Sequence, residues 1–278
     1  MESRDGARRG HFRTKDWTKV SHGLYRPSVN DAGIRDELAA WALVLPVSGA
    51  FTHLTAARAH GWWLPPMPVD LPVFACMATR EYRPRREGLR ISQHPHPVSA
   101  LRRYELPFAT PAETLLACSR DLALLDVVVL VDAALYTKSC SYEDISVLSM
   151  RHRRGAPMLR KALRLADARS ESAWESLLRM LHVACGVPVE PQYGVYDEDG
   201  RFVARGDLRI LGTRTLHEYD GGEHRRKYRH RHDLRENVVW ATRGGSVVVI
   251  PPSRCSGRRT SSSARRMRPS DESTVLSG

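Results

Sequence analysis

The 278-residue sequence predicts a mixed α/β (α+β) chain in two parts. A mixed and helical region spans residues 1–168, and a smaller α/β unit with a small mixed sheet spans 169–250. Three observations predict this. Two capping-box sequences, Thr110-Pro-Ala-Glu113 and Ser172-Ala-Trp-Glu175, mark helix starts, because a hydroxyl N-cap and a Glu three residues on satisfy each other's free amides. Apolar β-forming segments flank Asp199-Gly200, a tight-turn pair that joins antiparallel strands. The most apolar run, Leu122 to Leu135, is interrupted by Asp126 and Asp132. It is too short and too charged to span a bilayer, and reads as a buried helix.

Taken in order, residues 1–20 are polar and basic, with no apolar stretch of the kind a secretory signal needs. Lys19 to Arg26 reads as a short strand and turn. Ile34 to Leu45 carries apolar residues at helical spacing, and Ser48 offers an N-cap for a second helix ending at Gly61. Trp62-Trp63-Leu64-Pro65-Pro66 is a rigid apolar connector whose tryptophans belong to a core. Val69–Ala75 and Leu89–His94 read as strands. Helices follow from Pro111, over Leu122–Tyr136 and over Pro157–Asp167. After a boundary near 168–171, the helix Ala173–Cys185 is stopped by Gly186 and Pro188. Strands Pro191–Tyr196, Phe202–Leu211 and Thr215–Tyr219 form a three-stranded meander. The segment Pro251 to Gly278 is rich in Ser, Arg and Pro and poor in apolar residues, so it is expected to be a disordered basic tail. Val247–Ile250 is expected to pair on the sheet edge before it.

Lys and Arg number 43 against 31 Asp and Glu, a net charge of +12. That balance favours a polyanionic partner, nucleic acid first, although an arginine-favouring genome yields the same count. The five cysteines are scattered with no Cys-x-x-Cys pair, which argues against a zinc ribbon or a disulfide scaffold and fits a reducing cytoplasm. No membrane partner is expected.

The acids of the second unit carry the chemistry. Asp207 lies in one strand and Glu218-Tyr-Asp220 on the next, followed at once by Gly221-Gly222 and His224. Alternation points Glu218 and Asp220 to one face, and a hairpin brings Asp207 beside them. Carboxylates gathered on one face repel unless a cation lies between them, and oxygen ligands suit a hard divalent ion. Local alternatives stand beside each residue. Glu175 is also Ser172's capping partner, Asp207 beside Gly206 is also a turn former, and His224 opens a basic surface run. The run itself, Arg225-Arg226-Lys227-Tyr-Arg229-His-Arg231, is either a solvated face or a strip contacting phosphates. His217 and the His94-Pro-His96 pair read as structural.

These residues resemble a known family. The helix sequence Glu175-Ser-Leu-Leu178-Arg179, a hairpin aspartate, Glu-x-Asp-Gly, a nearby His and the trailing Asp233 and Arg235 are similar to proteins related to the very-short-patch-repair (Vsr) endonucleases. Those proteins belong to the restriction-endonuclease-like PD-(D/E)XK superfamily. Upstream, Ser21-His-Gly-Leu-Tyr25, Thr55-Ala-Ala-Arg-Ala-His-Gly61 and Phe108-Ala-Thr-Pro-Ala-Glu-Thr114 resemble the AbiE-type antitoxin or regulator region of actinobacterial members. The resemblance implies a Mg²⁺- or Mn²⁺-dependent DNA endonuclease. Asp207 and Glu218 would hold the metal, Glu175 would steady its water, and Asp220 would stand where a typical nuclease has lysine. His224 would serve as proton donor or phosphate contact, and Asp233 and Arg235 would brace the site. DNA is the implied partner, with a toxin or other protein beside it.

After Arg235 the sequence departs from the family's closing helix and Gly-Trp-x-Val-Leu-Arg strand, and a reading-frame shift near codon 236 is the expected origin. A non-catalytic DNA-binding regulator on a degenerate nuclease scaffold is therefore the alternative reading.

Overall fold

The structure, a computed structural model, describes residues 8–9, 16–28, 33–68, 70–196, 199–218, 239–242 and 245–249. It has the mixed α+β content that the sequence predicts. Among the described residues three sheets carry the strands, and a helical block lies between the second sheet and the third in the chain.

The first sheet has the order β1-β3-β2, from β1 (Arg8–Arg9), β2 (Trp17–Ser21) and β3 (Leu24–Pro27). The predicted strand and turn at 19–26 forms here, with Gly23 at φ 64° in the turn, where a side chain would be strained. Helix α1 (Ile34–Ala42) follows. The second helix does not begin at Ser48. Ala50–Phe51 form strand β4 instead, and α2 covers His53–Ala59. The Ser48 hydroxyl is taken by distant partners: it donates to the Glu81 carboxylate at 2.9 Å and accepts from the Ala78 amide at 2.9 Å.

The second sheet has the order β6-β5-β4-β8-β7. Besides β4 it contains β5 (Val73–Ala78), β6 (Leu89–His94), β7 (Ala100–Arg103) and β8 (Leu106–Ala109). It is mixed: β5 runs parallel to β6 and β4 parallel to β8, while β4–β5 and β7–β8 are antiparallel. Trp41, Phe51, Met77 and Phe108 fill the core between it and the first helices.

Five helices follow: α3 (Pro111–Cys118), α4 (Leu124–Tyr136), α5 (Tyr142–Ser149), α6 (Ala156–Leu165) and α7 (Ala173–Ala184). Helix α3 starts where predicted, with Pro111 in its first turn, yet Thr110 makes no capping bond. The Glu113 carboxylate is taken by Arg153 at 2.6 Å, and a buried charge holds its partner in preference to a cap. The complete capping box belongs to Ser141 and Asp144 on α5, a helix the sequence reading passed over. Leu115, Val127, Leu130, Ile145, Leu159 and Met180 meet in the helical core, with Trp62 against them. The Trp62 indole N–H donates to the Ser139 hydroxyl at 3.0 Å.

The third sheet is antiparallel throughout, in the order β12-β13-β11-β10-β9. Its strands are β9 (Val189–Tyr196), β10 (Phe202–Ile210), β11 (Thr215–Glu218), β12 (Val239–Thr242) and β13 (Gly245–Val249). The predicted meander is β9-β10-β11. Val247 does pair with the sheet, through β13 on β11. It is not the edge, however, because β12 pairs outside it. The tail from Pro251 lies outside the described residues. Among the described residues no helix is long and apolar enough to cross a membrane, and Cys76, Cys118, Cys140 and Cys185 are free thiols.

Candidate functional site

Ser172 caps α7 by accepting from the Glu175 amide at 3.2 Å. This places Glu175 in the first turn, 8% exposed, facing the start of the third sheet. Its carboxylate has three donors: the Ser172 hydroxyl at 3.0 Å, the Glu171 amide at 2.9 Å and the Gln192 side-chain amide at 2.7 Å. The capping box is thus shifted, since the carboxylate takes the amide of Glu171 rather than that of Ser172. Burial raises the Glu175 carboxyl above the usual range, and the negative charges of Asp207 and Glu171 push the same way against the hydrogen bonds. Two acids predicted to share a site therefore lie within electrostatic reach of each other.

The strand geometry that brings them together is irregular. Register pairs Gly206 with Tyr193 and Leu208 with Pro191, so Asp207 stands across from Gln192. Gln192 has φ 55°, a left-handed conformation that costs a non-glycine residue about 1–2 kcal/mol. Flat alternation would put Glu190 and Tyr193 on opposite faces. Arg209 nonetheless touches both, 4.0 Å from the Glu190 carboxylate and 4.3 Å above the Tyr193 ring. The alternation breaks between them, at Gln192, which turns its amide onto Glu175. Gly206 is needed beside this kink because a Cβ there would meet Leu216 at 2.9 Å. The glycine before Asp207 thus serves close packing within a strand, not a turn. Gln192 escaped the sequence reading. Its only signal was a lone amide beside a proline within a strand.

Among the described residues the buried Gln192 Oε1 atom has no hydrogen-bond donor, an uncommon condition for a buried carbonyl oxygen. Glu175, Asp207 and Gln192 each offer oxygen atoms, the donor type that suits Mg²⁺ or Mn²⁺. Register carried one residue beyond the Leu208–His217 pair sets backbone position 218 across from Asp207, and Glu218 pairs on its other side with Ser246. Among the described residues no three His, Cys, Asp or Glu side chains converge as a metal group. The side chain of Glu218, and Asp220, His224, Arg225, Arg226, Lys227, Arg229, Arg231, Asp233 and Arg235, lie outside the described residues. His217 packs its ring against His182 of α7 at 4.9 Å, and both burial and His182 lower its pKa.

A buried clasp holds α7 in place. Arg179, one turn beyond Glu175, donates to Asp132 of α4 at 2.7 Å and to the Leu165 carbonyl at 2.6 Å. Asp132 also accepts from the Asp167 amide at 2.7 Å. The clasp thus ties α4, the end of α6 and the helix bearing Glu175 together across the predicted boundary at 168–171. Burial raises the Asp132 carboxyl, and Arg179 with the surrounding hydrogen bonds pulls against that rise.

Comparison with known proteins identifies two uncharacterized proteins of Mycobacterium tuberculosis, one from strain CDC 1551 / Oshkosh and one from strain ATCC 25618 / H37Rv. Each is 34% identical over 116 residues, which is 41% of this chain and 42% of the relative. The chain thus matches less than half the length of these curated relatives. No family model matches it, and no solved structure does.

Proposed function

We propose that the chain is a metal-dependent DNA endonuclease of the Vsr-related type, hydrolysing phosphodiester bonds at Glu175, Asp207 and Glu218. The observation that carries this reading is the Glu175–Asp207 pair of like charges beside a Gln192 oxygen that has no donor among the described residues. Like charges in a partly buried place repel, and a cation between them lowers that cost. Asp207 and Glu218 would hold the ion, and Gln192 Oε1 is a third oxygen at hand. A bound Mg²⁺ or Mn²⁺ supplies Lewis-acid polarisation of a phosphoryl oxygen and acidifies water. Glu175, fixed by Ser172, Glu171 and Gln192, orients the attacking water and draws on its proton. Asp220 and His224 complete the site in this reading, with His224 donating to the departing oxygen. Arg225, Arg226, Lys227, Arg229 and Arg231 hold the DNA backbone, and Asp233 and Arg235 brace the site. The reading places the protein in the cytoplasm, with the N-terminal region selecting DNA or a toxin-like protein partner.

The same resemblance favours a second reading, a DNA-binding regulator without cleavage, because it puts Asp220 where a typical nuclease has lysine. A plasmid-nicking assay separates the two. Nicking that requires Mg²⁺ or Mn²⁺ and disappears in Asp207→Ala supports the enzyme. Tight sequence-selective binding with no nick under any divalent metal sinks it in favour of the regulator.

A further inference from the structure

A cavity of about 590 Å³ opens between the second sheet and the helical block, distant in sequence from the acidic site. Arg90 of β6, Arg120 after α3, and Arg153 and Arg154 before α6 line it, against the single carboxylate of Asp121. Arg153 is paired with Glu113. Among the described residues, Arg90, Arg120 and Arg154 have no carboxylate within 4 Å. The cations sense one another: Arg153 disfavours the charge on Arg120, and Arg90 and Arg120 disfavour a charge on His53. Guanidinium groups gathered around an opening repel, as clustered carboxylates do, and an anion relieves that repulsion.

His53 supplies a second, independent observation. Only 4% exposed, it lines the cavity with its ring stacked on Phe74 at 4.4 Å. Among the described residues neither ring nitrogen has a hydrogen-bond partner, and the Asp121 carboxylate stands off at 3.6 Å from Nε2. The residue also holds φ 55°. A strained backbone that presents a buried, unpartnered imidazole to a basic cavity is a cost that a ligand would repay.

We propose that this cavity is a phosphomonoester site of nucleotide size, in which Arg90, Arg120 and Arg154 neutralise the phosphate and His53 donates a hydrogen bond to it. Arginine suits the planar geometry of phosphate oxygens. The volume falls in the range of small-molecule sites and exceeds what a bare phosphate needs. Phe74, Ile91 and Pro95 offer apolar wall for a base or sugar. Duplex backbone phosphates lie on a convex surface and cannot reach a histidine this deeply set, whereas a terminal phosphate can. The phosphate is carried either by a free nucleotide or by the 5′ end of a nucleic-acid strand.

Calorimetric titration of the full chain tests this with inorganic phosphate, a nucleoside 5′-monophosphate and the matching nucleoside. A further pair of arms uses a 5′-phosphorylated single strand and its 5′-hydroxyl twin. Phosphate and nucleotide should compete for one site that the nucleoside does not occupy. Arg90→Glu with Arg154→Glu alters two exposed side chains, leaves the core untouched and should weaken binding about tenfold or more, over 1.4 kcal/mol. The His53 imidazole resonances should shift on saturation in the unaltered protein. Competition by the phosphorylated strand alone would support the site with a strand end as the source. Absence of saturable phosphate binding overturns the proposal, as does equal binding by the double variant or binding of duplex DNA that phosphate does not compete.

Discussion

Arg179→Ala is expected to destabilise the fold more than any surface change, and to do so through the charge it leaves behind. Asp132 is 0% exposed and Arg179 6% exposed. The substitution removes the 2.7 Å contact between them and leaves a carboxylate buried without its cation. Breaking one side of such a pair costs ~3–5 kcal/mol, a fall in Tm on the order of 10 °C for a chain of this length. The double variant Asp132→Leu with Arg179→Met removes the stranded charge. It also frees the Leu165 carbonyl and the Asp167 amide that the pair had satisfied, at ~1–3 kcal/mol for each group left buried. It should therefore recover part of the loss and not all of it. Urea unfolding followed by circular dichroism measures both variants, and a nicking assay on the same samples reports whether Glu175 has moved. A loss under about 1 kcal/mol for Arg179→Ala would refute the reasoning, as would a double variant no more stable than the single.

Glu175→Gln should abolish nicking while holding or raising Tm at neutral pH, because it removes a buried like charge beside Asp207. The folded carboxyl has a raised pKa, so the folded state binds more protons than the unfolded one in the window above 4.5. Stability from this group is accordingly lost as pH rises from 4.5 to the folded value. Melting temperatures across that window should fall less steeply in the variant, and parallel curves would contradict the assignment. Gln192→Gly and Gln192→Ala should both reduce nicking, since each removes the amide that holds Glu175. The glycine variant should be the more stable of the two by about 1 kcal/mol, because only glycine adopts φ 55° without strain. Equal midpoints in denaturant would show that the kink relaxes when the side chain is gone.

Features that rest on neighbours within four residues were legible in the chain. The Ser172 hydroxyl reaches the Glu175 amide, so the start of α7 could be read directly. Asp199-Gly200 sits between two β-forming segments, and β9 and β10 pair across it. The segment from Thr215 reads as a strand and forms β11, and Asp207 and Glu175 stand out as candidate acids on a strand and at a helix start.

Where the partner is far away in sequence, the same local rules misled. Ser48 looks like a helix cap, but Glu81 and Ala78 claim its hydroxyl. Thr110 and Glu113 spell a capping box, but Arg153, 40 residues on, holds the glutamate. β4 and β8 are short strands held by a neighbour on each side, β5 and β8 for β4, β4 and β7 for β8, and neither carries a pattern long enough to declare itself.

The candidate site divides in the same way. Sequence by itself determined which acids were available and that α7 and β10 would carry them. Tertiary structure decided how they meet, through a left-handed Gln192 that breaks strand alternation and a buried Asp132–Arg179 clasp that positions α7. Cap and turn chemistry acts within a few residues and is written in order along the chain. A strained dihedral or a buried ion pair is held only by contacts that folding brings together, and a single sequence carries no mark of them.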